Sequence, residues 1–487
     1  VEKAFHGLVP LGQHPKKPRV FEVAVRRILR RMTVSTGCWP GRMNETRVAG
    51  ADPDGLVAVD PRVEFLAEAD AATRERFLEA AIARRAYDRR DPEPCDLSLV
   101  PRVVTRTGGA AIAETARRVV EASLAWALDM HASGRSVAGY SLDWVRGEVG
   151  RLPVELVGDV RLDFLVAGGR LRLLEAGWVN LSAFDYAPQA ALALVDAVPA
   201  LAAWFHVERP VAAMRRRLLE RGVRRLAILV KEEHTVYAAN DFALIAAALA
   251  PIETHVVAEP DYGRLAPAGQ GVRLGDVPLD AVYLRALDGP DAFAGRHAAS
   301  NRATLRLLLG SDVVLHDHPL MLLAEDKDLG FLVARDPALA AVVPATARPT
   351  EVDPADAARW VLKLRDRHSG SGVFLDEEAM RSRWHEPAAI LQERIVPDPC
   401  PVVTVHGHRG AAVADLAVHV SYRYDVAARR CLVAEVAGYF SRFSLTGGIV
   451  NLCAGGGIVP VLSESYGQNG NEAGPFDERS RPGSGSG

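Results

Sequence analysis

Between Val160 and Glu175 the chain alternates apolar and polar residues on both sides of Ala167-Gly168-Gly169. A period of two in each arm, with a glycine pair between them, predicts a β-hairpin. Successive side chains on a strand point to opposite faces, so Arg161 and Asp163 share one face. Glu175 lies in the second arm and closes it. Two carboxylates and a guanidinium are then expected on one side of a small sheet. Such a set suits a hard cation such as Mg²⁺, which usually also keeps waters and phosphate oxygens. A solvated hairpin with ordinary surface charges fits the same spacing, so the rest of the chain has to decide.

The chain of 487 residues is long enough for two or three domains with large cores. Its net charge of −3 offers no basic field for nucleic acid or anionic lipid. No apolar run reaches the ~18 residues of a membrane span. Val1-Glu2-Lys3-Ala4-Phe5 carries no signal-peptide core. Cys38, Cys95, Cys400, Cys431 and Cys453 are scattered, with no CxxC pair to suggest a disulfide framework or a zinc site. A cytoplasmic enzyme or binding protein is expected. Of the 58 basic residues six are lysine, which leaves 52 arginines. In a chain so biased towards Arg, an interior Lys marks a place for a compact ammonium on a thin stem. That singles out Lys231, Lys327 and Lys363.

Residues 61–90 and 109–133 have helical spacing, and a further helix is expected from about 188 to 205. Asn180, Ser182 and Asp185 precede that helix and would reach a ligand or cap it. Residues 208–290 read as a compact α/β unit with parallel strands, which place Lys231, Glu232, Glu233 and Arg285 at strand ends. No GxGxxG follows its first strand, so no dinucleotide site is expected. His316 with His318, and His406 with His408, lack a third metal ligand nearby in sequence. Trp360–Leu364 is a strand that enters a Ser369-Gly370-Ser371-Gly372 loop, and Val373–Leu375 leaves it. Glycines let backbone N–H groups close on phosphate oxygens, and Lys363 would supply the charge. A flexible hairpin explains the same loop. Ile390–Val396 is a strand, followed by antiparallel strands at 401–405, 411–421 and 431–440. Glycine clusters flank Asn451 near Arg442, and residues 466–487 are of low complexity.

Arg161-x-Asp163 followed by Glu175 resembles the metal-binding stretch of the circularly permuted ATP-grasp ligases, glutathionylspermidine synthase and eukaryotic glutathione synthetase among them. The family pattern is RxD, then ExN, and the Asn is Gly177 here. Further matches follow in order. They are Asp280-Ala-Val-Tyr-Leu-Arg285, Glu325-Asp326-Lys327, Val361-Leu362-Lys363 before a glycine loop, Leu391-Gln392-Glu393-Arg394-Ile395, and Ser441-Arg442-Phe443. The resemblance covers roughly residues 155–462.

The resemblance implies an α/β chain with an ATP-grasp fold, circularly permuted, an inserted Rossmann-like subdomain and a helical N-terminal region. Residues 1–150 would form the N-terminal substrate side, 151–207 the first ATP-grasp segment, 208–300 the Rossmann-like insert, 301–465 the nucleotide-binding region and 466–487 a disordered tail. The implied reaction is ATP-dependent joining of a carboxylate to an amine through an acyl phosphate, with release of ADP and phosphate, in the synthesis of a small peptide-like metabolite. The alternative is an ATP-binding protein with a decayed site. Asp163, Glu175 and Asp366 would hold Mg²⁺. Lys327, Lys363, Ser369, Gly370, Ser371, Gly372, Gln392, Glu393 and Ile395 would hold ATP. Arg161 and Arg442 would act in catalysis, and Asn180, Ser182, Arg285 and Asn451 would face substrate. The partners implied are a small carboxylate and a small amine, without nucleic acid or membrane, and a homodimer is compatible with the family.

Overall fold

A computed structural model of the chain describes residues 57–58, 60–87, 95–134, 149–150, 152–178, 181, 184–286, 293, 295–365, 372–445, 450 and 456–465. All of them belong to one of the two compact units of the chain, Asp52–Gly487. Ser182, Asn180, Asp366, Ser369, Gly370, Ser371, Asn451 and the segment 466–487 lie outside the described residues.

The hairpin forms from Glu155–Ala167 and Arg170–Gly177. Gly168 and Gly169 make the two-residue turn with φ of +58° and +70°. Two consecutive positive φ values describe a type I′ turn, whose twist matches that of paired strands, and glycine reaches them without a Cβ penalty. Asp398 fastens the turn from outside, accepting the N–H groups of Gly168 and Gly169 at 2.8 and 3.0 Å.

Glu155–Ala167 is the seam of an eleven-stranded sheet. On one side it pairs antiparallel with Arg409–Asp425, which pairs in turn with Arg430–Ser444. On the other it meets Val314–His316 in parallel, followed by Ala281–Arg285, Arg225–Val230 and Glu253–Ala258, all parallel. The parallel strands therefore continue past residue 300 and share one sheet with the hairpin. The two faces of the seam differ in chemistry. Val160, Leu162, Phe164 and Val166 lie in a core with the long helix Arg106–Ser133. That helix buries Ile112, Ala116, Val119, Val120, Leu124 and Ala127, the spacing of one helical face. Thr105 caps it by accepting the Gly108 N–H, and Gly134 ends it at φ +64°. The opposite face of the seam carries Asp159, Arg161 and Asp163.

A separate four-stranded sheet has the order Thr346–Ala347, Ala389–Glu393, Trp360–Leu364, Val373–Phe374. Its core is Leu362, Leu364, Met380, Trp384 and Leu391. Three sequence expectations need correction here. The strand expected to run to Val396 ends at Glu393, because the N–H groups of Glu393 and Arg394 turn to the Ala345 and Arg359 carbonyls outside the strand. Ile395 therefore lies beyond it. The helix expected over 188–205 is Tyr186–Ala197, and Pro199 begins a separate 3₁₀ turn, Pro199–Ala203. Asp185 stands at the N-cap position of that helix but its side chain does not cap it. Its carboxylate is committed to Arg209 at 3.0 and 2.7 Å, while Asp241 accepts the Asp185 and Tyr186 N–H groups. Among the described residues no helix is long and apolar enough to cross a membrane.

Candidate active site

The hairpin places its charged residues through an irregularity. Asp163 faces Glu175 across the pair, but Phe164 faces Leu173. Leu174 is therefore an extra, unpaired residue, a β-bulge. Without it, a two-residue turn would set Asp163 opposite Leu174 and turn Glu175 to the other face. The bulge carries Glu175 round to the face of Arg161 and Asp163. It also turns the Leu174 carbonyl towards the four-stranded sheet. There Lys363 donates its Nζ to that oxygen at 2.9 Å, and Gln392 donates Nε2 at 3.4 Å.

Asp163 is buried, with a relative exposure of 1%. Oδ1 accepts from Arg161 Nε at 2.7 Å. Oδ2 accepts from Arg161 Nη2 and Arg442 Nη2, each at 2.8 Å. Burial pushes this carboxyl up, and the two guanidiniums outweigh that to hold it down at about 2. Arg442 is clamped from behind. Asp415 accepts its backbone N–H on Oδ1 and its Nε on Oδ2, both at 2.7 Å. Burial raises the Asp415 carboxyl and Arg442 opposes it. Glu175 is different: its side chain is 40% exposed and its carboxylate stands 3.9 Å from Arg161. The arrangement is one ionised, orientated carboxylate beside one accessible carboxylate.

The lysines face this pair. Lys363 is buried in Trp360–Leu364, and burial, with a smaller push from Lys327, lowers its ammonium to about 8. Glu175 and Asp163 pull in the other direction. These three charges therefore all act on the Lys363 ammonium. Lys327 is itself buried, in the turn after Pro319–Ala324. Gly372 closes the far end of the loop beyond Lys363, its carbonyl accepting the Leu364 N–H at 2.8 Å. The Glu393 carboxylate pairs with Arg172 of the hairpin at 2.8 Å, so it bridges the two sheets.

Neither a known protein family nor a curated protein matches this chain by sequence. A solved structure does match it in shape. The apo form of a glutathione synthetase-like effector (GSS30) from Globodera pallida aligns with a TM-score of 0.62 at 13% identity, covering 83% of this chain and 99% of that one. The fold is glutathione synthetase-like. At that identity the likeness concerns the backbone, and the side chains have to be read in this molecule.

Within the glutathione synthetase-like fold, Arg285 stands apart from the hairpin. It is buried at the end of Ala281–Arg285, with its guanidinium 5.6 Å from the Phe242 ring centre and 5.8 Å from that of Tyr283. Its Nε and Nη1 have no hydrogen-bond partner among the described residues. Register places Arg285 two strands across from Asp159, on the face that carries Asp163. At about 3.3 Å per residue and 4.8 Å per strand, Asp163 is then roughly 16 Å away. The histidine pairs serve other ends. His316 bonds Asp159 at 2.6 Å, His318 accepts the Leu320 N–H at 3.2 Å, and His406 meets the Tyr87 hydroxyl at 3.1 Å. Sequence reasoning gave no role to Asp415, Asp326, Arg365 or Leu174. Asp415 stands in no motif, and only strand pairing reveals it. Leu174 did leave a trace, because Leu173-Leu174 interrupts the polar–apolar alternation.

Proposed function

We propose that this chain is an ATP-grasp ligase that joins a small carboxylate to a small amine and releases ADP and phosphate. The observation that carries this reading is the Leu174 bulge. It sets Glu175 beside Asp163 and offers Lys363 its acceptor, so two carboxylates and two lysines come together where the two sheets meet. Lys327 and Lys363 would hold the ATP phosphates, and Gln392, Glu393 and Ile395 would flank the base and ribose. Ser369, Gly370, Ser371 and Gly372 would cover the phosphates. The residues present fit Mg²⁺: Asp163 is ionised, Glu175 is accessible, and a carboxylate has about four acceptor positions, of which Asp163 uses three. Asp366 would add a third ligand. Bound there, the metal would neutralise charge on the phosphates.

The chain's own residues do the rest. Arg442, held by Asp415, would present a fixed cation to the acyl phosphate and then to the oxyanion formed as the amine attacks. Arg161 orients Asp163. In balance, the substrate carboxylate oxygen attacks the γ-phosphorus and ADP leaves. The amine nitrogen then attacks the acyl carbon, phosphate leaves and one proton is released. Arg285, with two unpaired donors facing two rings, suits the distant carboxylate of a peptide-sized substrate. Asn180, Ser182 and Asn451 would complete that pocket.

A second reading has a specific basis. Both Asp163 oxygens are engaged by arginine, and Gly177 stands where the resembled pattern has Asn, as a nucleotide-binding protein without turnover would allow. ADP release measured over carboxylates crossed with amines separates the two. Mg²⁺-dependent ATP binding with turnover supports the ligase, binding without turnover supports the second reading, and absence of ATP binding rejects both.

A further inference from the structure

Lys327 and Lys363 come from different segments, and their local structure does not explain why they converge. Lys363 is in a strand of the four-stranded sheet, whereas Lys327 follows the turn Pro319–Ala324. Like charges in a desolvated site repel, so something has to hold them. Arg365 lies two residues beyond Lys363, and Asp326 immediately precedes Lys327. The two form a buried pair, with Arg365 Nε donating to Asp326 Oδ1 at 2.7 Å and Nη2 bonding Oδ2. The turn around Lys327 is tied on its other side too. Asp328 Oδ1 accepts the Thr346 hydroxyl at 2.9 Å, and Thr346 faces Gln392 in the four-stranded sheet. Asp326 Oδ1 also accepts the Asp328 N–H at 3.0 Å, which sets the turn between the two anchors. Lys327 is thus flanked by two carboxylates that are both fastened to the sheet bearing Lys363.

We propose that Asp326 and Arg365 are a positioning pair that fixes the spacing of Lys327 and Lys363 for a polyphosphate. The inference rests on the nucleotide-site reading above. A bidentate guanidinium–carboxylate pair suits the task, since it fixes both distance and orientation and adds no net charge beside the ammonium groups. Because Asp328 and Thr346 supply a second tie, the pair sets the fine position of Lys327 and the sheet sets its coarse one.

The test uses the full chain as Asp326→Asn, Arg365→Lys and the exchanged double variant Asp326→Arg with Arg365→Asp. Arg365→Lys keeps the charge and loses the fork. Melting curves select the variants that are folded at the assay temperature, and Arg365→Lys is the milder alternative should Asp326→Asn fail to fold. The first readout needs no nucleotide. Acylation of lysine amines by an acyl ester, followed by mass spectrometry, is expected to rise about tenfold at Lys327 and Lys363 together, with Lys231 unchanged as the reference. The second is the KM for ATP, expected to rise about tenfold with a smaller change in kcat, and to recover partly in the exchanged variant. Unchanged labelling in folded variants, or a rise at one lysine alone, overturns the proposal. Joint release of both lysines in a protein that does not bind Mg²⁺-ATP would support the joint and reject the nucleotide reading.

Discussion

At the scale of the residue, Asp163 and Glu175 are unequal despite facing each other. Asp163 is a buried acceptor for two partly buried guanidiniums, and removing one partner of such a group costs about 3–5 kcal/mol. Asp163→Ala is therefore expected to lower the denaturant midpoint sharply, and loss of activity in that variant alone would not identify a metal ligand. Glu175 is the cleaner probe because its side chain is 40% exposed. We expect Glu175→Gln to change stability by less than about 0.5 kcal/mol and to reduce ADP formation at least about 100-fold. ADP formation at the wild-type rate would reject the assignment of Glu175. Gly177 offers the reverse experiment. A Cβ built there would have Leu181 at 3.7 Å and the Arg161 carbonyl at 3.9 Å, which is ordinary contact, so the position accepts a Cβ. Gly177→Asn is expected to lower the Mg²⁺ concentration needed for half-maximal ATP binding by about three- to tenfold. An unchanged or higher requirement would show that position 177 takes no part in holding metal.

At the scale of the element, the decisive feature is the bulge in Arg170–Gly177. Deleting Leu174 would restore plain pairing and leave Glu175 still opposite Asp163. It would also remove the acceptor of Lys363. The deletion is expected to raise the KM for ATP about tenfold while circular dichroism still reports a folded chain, and an unchanged KM would mean that the Leu174 carbonyl does not position Lys363. Lys363 adds a pH dependence. Its protonated form attracts phosphate, and burial has lowered its value to about 8 from 10.5. Between those values the unfolded chain keeps the proton and the folded chain releases it, so the contribution of Lys363 to stability grows as pH rises through that window. ATP binding runs the opposite way and should weaken as pH climbs past about 8. Calorimetry at several pH values, with Lys363→Met as the control that lacks this dependence, checks the sign.

At the scale of the whole molecule, the site lies where two sheets meet. The seam strand Glu155–Ala167 belongs to the eleven-stranded sheet, and Lys363 and Gln392 belong to the four-stranded one. The Arg172–Glu393 pair and the hydrogen bond from the Leu173 N–H to the Val342 carbonyl also join the hairpin to the chain around the smaller sheet. A ligand held between the sheets would stabilise both. Mg²⁺-ATP at about 100 times its Kd should then add about 2.7 kcal/mol to the unfolding free energy. A rise in Tm with Mg²⁺-ATP, larger than that with ATP and a chelator, is the expected outcome, and no rise with either would count against the nucleotide site.

Local pattern made much of this legible. Period-two alternation around Gly168-Gly169 gave the hairpin, because a twisted pair of strands needs a turn with positive φ. The scarcity of lysine drew attention to Lys327 and Lys363, because an Arg-rich chain keeps Lys where its shape matters. The parallel strands of the α/β unit were also readable from buried apolar runs, although their order in the sheet was not. Long-range pairing was not. That Asp415 stands behind Arg442, that Asp326 meets Arg365, and that Asp185 answers Arg209 instead of capping its helix are contacts between distant segments, and one sequence carries no signal of them. The face on which Glu175 lies was decided by a single residue of register. With the two-residue turn that forms, strict alternation would have set it away from Asp163. The bulge at Leu174 brings it back, and Lys363 of the smaller sheet takes the carbonyl that the bulge sets free.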